Sequence, residues 1–210
     1  DSSESEMTIK ITGFQWRWKY EYLDREISFI SSLAHSSNAA RQLNSGIAPE
    51  SVDNYLLDVD HPLVLPVGRK IKFLITADDV IHSWWVPDLG WKRDAIPGFI
   101  NEAWTKIEKP GTYRGQCAEL CGKDHGFMPI VVKALPEDEF EAWASEQMVD
   151  ARNQEQETNR LWTREELMRH GQGVYENACA TCHQPDGMGL TPAFPALAGS
   201  SIVTGPVAAH

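Results

Sequence analysis

A Greek-key β-sandwich or barrel, followed by a small helical unit, is the fold class this sequence predicts, and three observations predict it. Seven short β-like runs recur between Pro and Gly turn signals over residues 55–134. The run Lys70-Ile71-Lys72-Phe73-Leu74-Ile75 has the two-residue period of a strand buried on one face. After Pro136 the sequence EDEFEAWASEQMVDARNQEQETNR changes character, opening with acidic residues that start a helix and continuing polar and Gln-rich.

Taken in order, MTIKITGFQWRWKYEY (7–22) reads as a strand with Trp16, Trp18, Tyr20 and Tyr22 on one face and Arg17, Lys19 and Glu21 on the other, and with Gly13 marking a bulge. Aromatics so placed are core in most strands. Residues 31–55 are small and polar without a sustained period, which predicts a long surface excursion of varying order. Strands are expected at 55–59, 63–65, 70–77, 81–86, 104–108, 111–115 and 129–134. A linker is expected at 149–160. Thr163 and Glu166 fit a capping box that opens a helix running to about Ala178. Beyond it, Pro185, Gly187, Gly189, Pro192, Pro195, Gly199 and Gly205 disfavour regular structure. The expected organisation is a sandwich over 1–148, the linker, and the start of a second unit over 161–210.

Nineteen Lys and Arg against thirty Asp and Glu leave a formal charge of −11, which disfavours nucleic acid as a partner. A hydrophobic share of 42% with 23% charged residues excludes a disordered or collagen-like chain. The most apolar region, Leu63 to Ala77, is broken by Arg69, Lys70 and Lys72, well short of the roughly 18 apolar residues of a spanning helix. The chain opens on Asp1 with no signal-like segment, so a processed, soluble piece is expected, with any membrane anchor outside it. Four cysteines are too few for a disulfide scaffold, yet they form two tight pairs, Cys117/Cys121 and Cys179/Cys182.

Cys117, Cys121, His125 and Met128 fall within twelve residues between two expected strands, and His82 precedes them on an earlier strand. A Cys-x3-Cys pair alone is more often structural zinc, a disulfide or two buried thiols. Soft sulfur with imidazole selects copper, zinc or iron–sulfur, and the thioether favours copper electron-transfer sites over structural zinc. A β-sandwich with such a loop before its last strand is the cupredoxin plan. His35, His61 and His170 have no such neighbours and read as surface residues.

The segments GFQWRWKYEY, PLVLPVGRKIKFLITADDVIHSWWVPDLGWKRDAIPG and GTYRGQCAELCGKDHGFMPI, with the acidic helix after them, closely resemble the copper-binding extracytoplasmic domain of subunit II of haem–copper cytochrome c oxidases. The resemblance covers residues 7–145. It implies a binuclear CuA centre bridged by Cys117 and Cys121, capped by His82 and His125, with Met128 and the carbonyl of Glu119 as weak ligands. It further implies that Trp16 is the entry point for electrons from cytochrome c, and that the Glu119 side chain shares a magnesium with catalytic subunit I. No magnesium is expected on the chain alone. Glu21, Asp24 and Glu26 could attract a cationic donor, although a charge run is more often a solvated face.

Cys179-Ala-Thr-Cys182-His183 reads as c-type haem attachment, with His183 as the proximal iron ligand. With the helix before it and the Pro- and Gly-rich stretch after it, this part resembles the N-terminal half of a class I cytochrome c. Twenty-seven residues follow His183, so a truncated unit without distal Met or C-terminal helix is expected, and Met188 lies too close to His183 to reach the opposite haem face.

Together these readings predict the electron-entry subunit of a terminal oxidase at the periplasmic face of a bacterial cytoplasmic membrane. Its donor is an external cytochrome c or the fused one, its acceptor is the catalytic subunit, and the chain itself makes and breaks no bonds. The alternatives are the CuA domain of nitrous oxide reductase, which the Trp16 strand and the haem motif disfavour, a copper-free quinol-oxidase subunit, which would lack the ligands, and a zinc-stabilised binding module.

Overall fold

The computed structural model describes residues 2–42, 44–190 and 192–205, excepting the side chains of 153–159, 177, 178, 181 and 182. It divides into two compact units, 1–155 and 156–210.

The first unit is a sandwich of two five-stranded sheets. One has the order β3 (Ile27–Ser31), β2 (Arg17–Tyr22), β1 (Met7–Phe14), β5 (Lys70–Ala77), β8 (Asn101–Lys106). The other runs β4 (Leu63–Pro66), β10 (Pro129–Leu135), β9 (Gly111–Cys117), β6 (His82–Val86), β7 (Trp91–Ala95). Strand β5 shows how the pattern makes the layer: Ile71, Phe73, Ile75 and Ala77 are buried while Lys70, Lys72, Leu74 and Thr76 are half-buried. It lies parallel to β1, Ile71 opposite Met7 and Ile75 opposite Ile11, so the apolar faces of both strands coincide. Trp84, Phe73 and Trp91 stack between the sheets at centroid distances of 5.1–5.7 Å.

The Met7–Tyr22 segment is a hairpin rather than one strand. Phe14 pairs with Arg17, and Gln15 and Trp16 form the turn. The aromatic alternation expected over 16–22 holds within β2, where Trp18, Tyr20 and Tyr22 are fully buried and Trp16 is half-buried at the turn. Gly13 makes no bulge, since it pairs in register with Trp18 and Ala77. Its missing side chain leaves room for His82, whose ring would lie 2.9 Å from a Cβ there.

Two strands escape the sequence pattern. Strand β3 is an edge strand, and in β7 only Ala95 is buried, so neither carries a full apolar face. Residues 55–59 form turns with a single bridge, Leu33 to Val59, because Asn54 and Leu56 adopt positive φ. The 31–55 excursion contains a short helix, α1 (His35–Ala40), held down by buried Ser37, whose hydroxyl accepts from the Leu56 N–H at 3.0 Å.

Helix α2 (Glu137–Asn159) packs Phe140, Ala144 and Trp143 against Tyr22 and Phe29, while Arg25 grips Glu141 through both guanidinium nitrogens. It continues through most of the expected linker at 149–160. From Glu137 to Thr163 there is neither Gly nor Pro, and the Glu, Gln, Ala, Arg and Met of this run are strong helix formers.

In the second unit, Thr163 and Glu166 make the expected capping box of α3 (Arg164–Val174). The chain stays helical beyond Ala178, through a single π-type turn at Tyr175–Cys179 into α4 (Ala180–His183). Among the described residues no helix is long and apolar enough to cross a membrane.

Gly115 on β9 is where β6 comes closest, since a Cβ there would stand 1.9 Å from the Trp85 carbonyl oxygen. Gly115→Ala must therefore part the two strands, and a loss of about 1–3 kcal/mol is expected. Urea unfolding checks this: the midpoint should fall at unchanged slope, and an unaltered midpoint would refute it.

Candidate metal centre

Three elements converge at one end of the sandwich. Strand β6 begins with His82, β9 ends with Cys117, and the loop 118–128 returns to β10. Trp84 pairs with Cys117 across β6 and β9, and the Cys117 N–H donates to the Met128 carbonyl at 3.0 Å. The Ala118 N–H donates to the Ser83 carbonyl at 3.0 Å. The strands thereby set where the loop leaves and where it re-enters.

Inside that loop the sulfurs of Cys117 and Cys121 stand 3.8 Å apart, both side chains buried. His82 Nδ1 lies 3.9 Å from the Cys117 sulfur, and His125 Nδ1 lies 3.5 Å from the Cys121 sulfur. Glu119 turns its carbonyl to within 3.4 Å of the Cys117 sulfur, while its side chain is exposed. Met128 is buried at the first turn of the loop's return, opposite Cys117. His82, Cys117 and Cys121 together have ligand atoms within 4.8 Å of one another. Donors bound about 2.0–2.3 Å from a common tetrahedral metal stand roughly 3.3–3.8 Å apart, so this spacing fits soft-metal coordination. It is well beyond the about 2.05 Å of a disulfide.

His82 is fixed from behind. Its Nε2 meets Asp79 Oδ1 at 2.9 Å, and a proton held there leaves Nδ1 on the sulfur side as the electron-pair donor. The Trp18 ring meets the imidazole edge-on at 5.9 Å, and Gly13 lies beneath it. Burial pushes the His82 pKa down, but Cys117 and Asp79 outweigh that and raise it. Burial likewise opposes ionisation of Cys117, yet hydrogen bonds from His82 and the Ser83 N–H bring its thiol down to about 7. Cys121 is pushed up to about 12 by burial and by the neighbouring Cys117 charge. One thiol is thus poised to ionise and the other holds its proton.

The turn of the β1–β2 hairpin covers the site from the other sheet. Gln15 Nε2 and Trp16 Nε1 both donate to the Cys121 carbonyl, at 2.8 and 3.1 Å. Gly122 takes φ 117°, which side-chain-bearing residues rarely adopt, and a Cβ there would also crowd Gln15 Nε2 at 3.0 Å. Asp79, Gln15 and Gly13 escaped the reading of the sequence as site residues. Gln15 and Asp79 stand next to and three residues from expected site positions, while Gly13 shows itself only through strand pairing.

The acidic run beyond Trp16 is largely engaged within the fold. Glu21 pairs with Lys10 and Lys19, and Asp24 accepts from the Thr8 N–H. Glu26 remains exposed, 4.0 Å from Arg152. His35, His61 and His170 are exposed, as expected of residues outside the site.

In the second unit, Cys179 is half-buried and the Cys182 side chain lies outside the described residues. His183 Nδ1 is 2.9 Å from the Pro195 carbonyl, an arrangement that leaves Nε2 available as an axial ligand. Tyr175 donates to the Gln184 carbonyl at 2.5 Å, tying the preceding helix to the residue after His183. Met188 sits in the same turn, with the Gly189 N–H donating to the His183 carbonyl.

Residues 7–135 match the family described as the cytochrome c oxidase subunit II periplasmic domain. The chain belongs to that family. Residues 168–206 match the cytochrome c family. A probable cytochrome c oxidase subunit 2 of Rickettsia bellii is 44% identical over 153 residues, which cover 72% of this chain and 53% of the relative. The chain spans about half the length of the curated relatives it matches. The crystal structure of the periplasmic domain of cytochrome oxidase subunit II of Bradyrhizobium japonicum superposes with a TM-score of 0.62 at 38% identity, covering 71% of this chain and 99% of that one. A mixed-disulfide complex of a subunit II periplasmic domain with a thioredoxin-like protein gives a TM-score of 0.57 at 38% identity, covering 71% and 96%. The site therefore lies in a sandwich of the cytochrome c oxidase subunit II periplasmic-domain family, and the cytochrome c match lies in the second unit.

The thiol chemistry gives a pH test. Metal uptake through both sulfurs must displace the proton of Cys121, part of that of Cys117 and part of that of His82. At pH 7 we expect release of at least the Cys121 proton and part of that of Cys117, and affinity that rises with pH. Calorimetry in buffers of different ionisation enthalpy counts them, and uptake without proton release would contradict thiolate ligation.

Proposed function

We propose that this chain is the electron-entry portion of a terminal oxidase, taking electrons from a c-type cytochrome and handing them to the catalytic subunit through a binuclear copper centre. The observation that carries the reading is the pair of buried sulfurs 3.8 Å apart, flanked on either side by an imidazole. Cys117 and Cys121 would supply thiolates to the metal, His82 and His125 imidazoles, and Met128 and the Glu119 carbonyl weaker donors. Copper held by these donors would supply one-electron transfer. The protein's part is to hold those donors and to keep water from them. Asp79 orients His82, the β1–β2 turn roofs Cys121, and Trp84 and Trp18 fill the space behind.

Trp16 is assigned the entry role. It is half-buried at the turn, and its indole N–H is bonded to the Cys121 carbonyl. The exposed apolar residues Val80, Ile81, Phe99, Ile100 and Leu120 lie on the loops next to His82 and Cys121. His82 pairs with Ala95, just before the 96–100 loop. Their number at this end suits docking onto the catalytic subunit, with the outward Glu119 carboxylate available to a magnesium shared there. Cys179, Cys182 and His183 would hold haem c, the Pro195 carbonyl fixing the tautomer of His183. A thioredoxin-like reductant is a fitting partner as well, because two thiols this close oxidise readily and must be reduced before metal enters.

Copper reconstitution tests the centre. Two coppers per chain and hyperfine structure from two equivalent metals are expected. Cys117→Ser and Cys121→Ser should each abolish that signal, since a hydroxyl is a poor bridge between soft metals, whereas Met128→Leu should keep both coppers and shift the potential. A two-copper spectrum surviving either Ser variant would retire the assignment, and one zinc per chain would favour a structural module.

Trp16→Ala should slow electron entry from cytochrome c at least tenfold, about 1.4 kcal/mol of barrier, with the copper spectrum intact. Loss of copper in that variant would instead make Trp16 a structural lid over Cys121.

A further inference from the structure

The ligand loop is gripped from outside by a residue of the 31–55 excursion. Arg41, at the C-terminal end of α1, places its guanidinium 4.2 Å from the centre of the Phe127 ring and its Nη1 3.3 Å from Asp124 Oδ1. Its Nε donates to Asn38 Oδ1 at 2.8 Å, which holds the plane of the group over the ring. Three-quarters of each charged side chain is out of water, Arg41 being 23% exposed and Asp124 22%. Asp124 and Phe127 bracket His125 within the 3-10 turn His125–Phe127, whose shape rests on two backbone bonds, from the His125 N–H to the Gly122 carbonyl at 3.2 Å and from the Phe127 N–H to the Asp124 carbonyl at 2.9 Å.

The excursion that carries Arg41 is itself anchored. The Ala34 N–H donates to the Asp58 carbonyl, the Ser32 N–H to Asp60, and the Arg41 N–H to the carbonyl of buried Ser37. Arg41 therefore has a fixed base from which to act on the loop. A planar, delocalised cation can stack on Phe127 and reach Asp124 at the same time, which an ammonium cannot do as well.

We propose that Arg41 is a positioning residue that holds the 122–128 turn, and with it the His125 imidazole, in binding shape before metal arrives. The proposal rests on the copper reading only for the identity of the ligand it positions. Its primary readout needs no metal.

The test follows amide hydrogen exchange at His125 and Phe127 in the metal-free full chain, with Arg41→Ala and Arg41→Lys beside the wild type. Removing the stacked, charge-paired group should speed exchange at both amides about tenfold. Lys should fall between, and amides of β1, β5 and β10 should be unchanged. Copper loaded into Arg41→Ala should leave for a chelator about tenfold faster, with altered hyperfine structure from the His125-bound metal, and Lys should restore part of both. Exchange at His125 and Phe127 within about twofold of wild type would overturn the proposal, as would equal acceleration throughout the sheets, which marks general destabilisation. If Arg41→Ala does not fold, Asp124→Asn, which keeps the shape and removes the charge, is scored at the Phe127 amide in the same way. A wild type that binds no copper yet shows the exchange contrast would sustain the clamp while ending the copper reading.

Discussion

The metal end of this molecule depends on a short loop closed by a β-ladder. The Cys117 N–H bonded to the Met128 carbonyl is the last rung between β9 and β10, and every other proposed donor except His82 lies between those two residues. Closing a loop this short costs little chain entropy, and the ladder on which it stands is buried on both sides of the strand. Ile130, Val131 and Val132 are all buried, so the rung cannot open without exposing core. The positions of Cys121, His125 and Glu119 are then a local problem of turns within fixed ends. Gly122 solves the tightest of these by adopting a φ that lets the chain pass under Gln15 and Trp16.

His82 comes from a different strand, and that single long-range demand ties the loop to the sandwich. The pairing of Trp84 with Cys117 fixes its height relative to the sulfurs. Gly13, from the opposite sheet, fixes its depth, because any side chain there would push the ring. Asp79 fixes which nitrogen faces the sulfurs. The two sheets thus have separate tasks. The β6, β9 and β10 sheet supplies the donors, and the β1–β2 sheet supplies the floor and the roof.

Much of this was legible in the residues, for physical reasons that also mark where legibility ends. Strands with one buried face declare themselves by alternation, as β5 does with Ile71, Phe73 and Ile75. Edge strands such as β3 and β7 bury too little to show a period. Alternation does not report a reversal of direction, so Gln15 and Trp16 read as part of one strand when they are the turn between two. The capping box at Thr163 was legible because it is a local hydrogen-bond pattern. The extent of α2 is not legible, because a polar, Gln-rich composition suits both a linker and an exposed helix. In the proposed site, the candidate donor types cluster in sequence, which is why they are legible there. The residues that orient them, Asp79, Gly13, Gln15 and Arg41, act through pairings and packing that sequence separation conceals.

That neighbouring donors stand 3.5–3.9 Å apart in the protein alone bears on how the proposed site could transfer electrons quickly. Electron transfer is slowed by whatever must rearrange when charge arrives, and a ligand shell assembled by folding has little left to rearrange. The cost of that assembly appears in the protonation states. Two sulfurs so close cannot both carry charge without a cation between them, so Cys121 keeps its proton well above the usual thiol range while Cys117 loses its own near neutrality. A metal that binds both sulfurs removes this conflict. The same geometry that strains the thiols electrostatically in the metal-free chain is therefore the geometry that favours a thiophilic cation, and the fold's rigidity, from the Cys117–Met128 rung outward, keeps the thiols from escaping the conflict by moving apart.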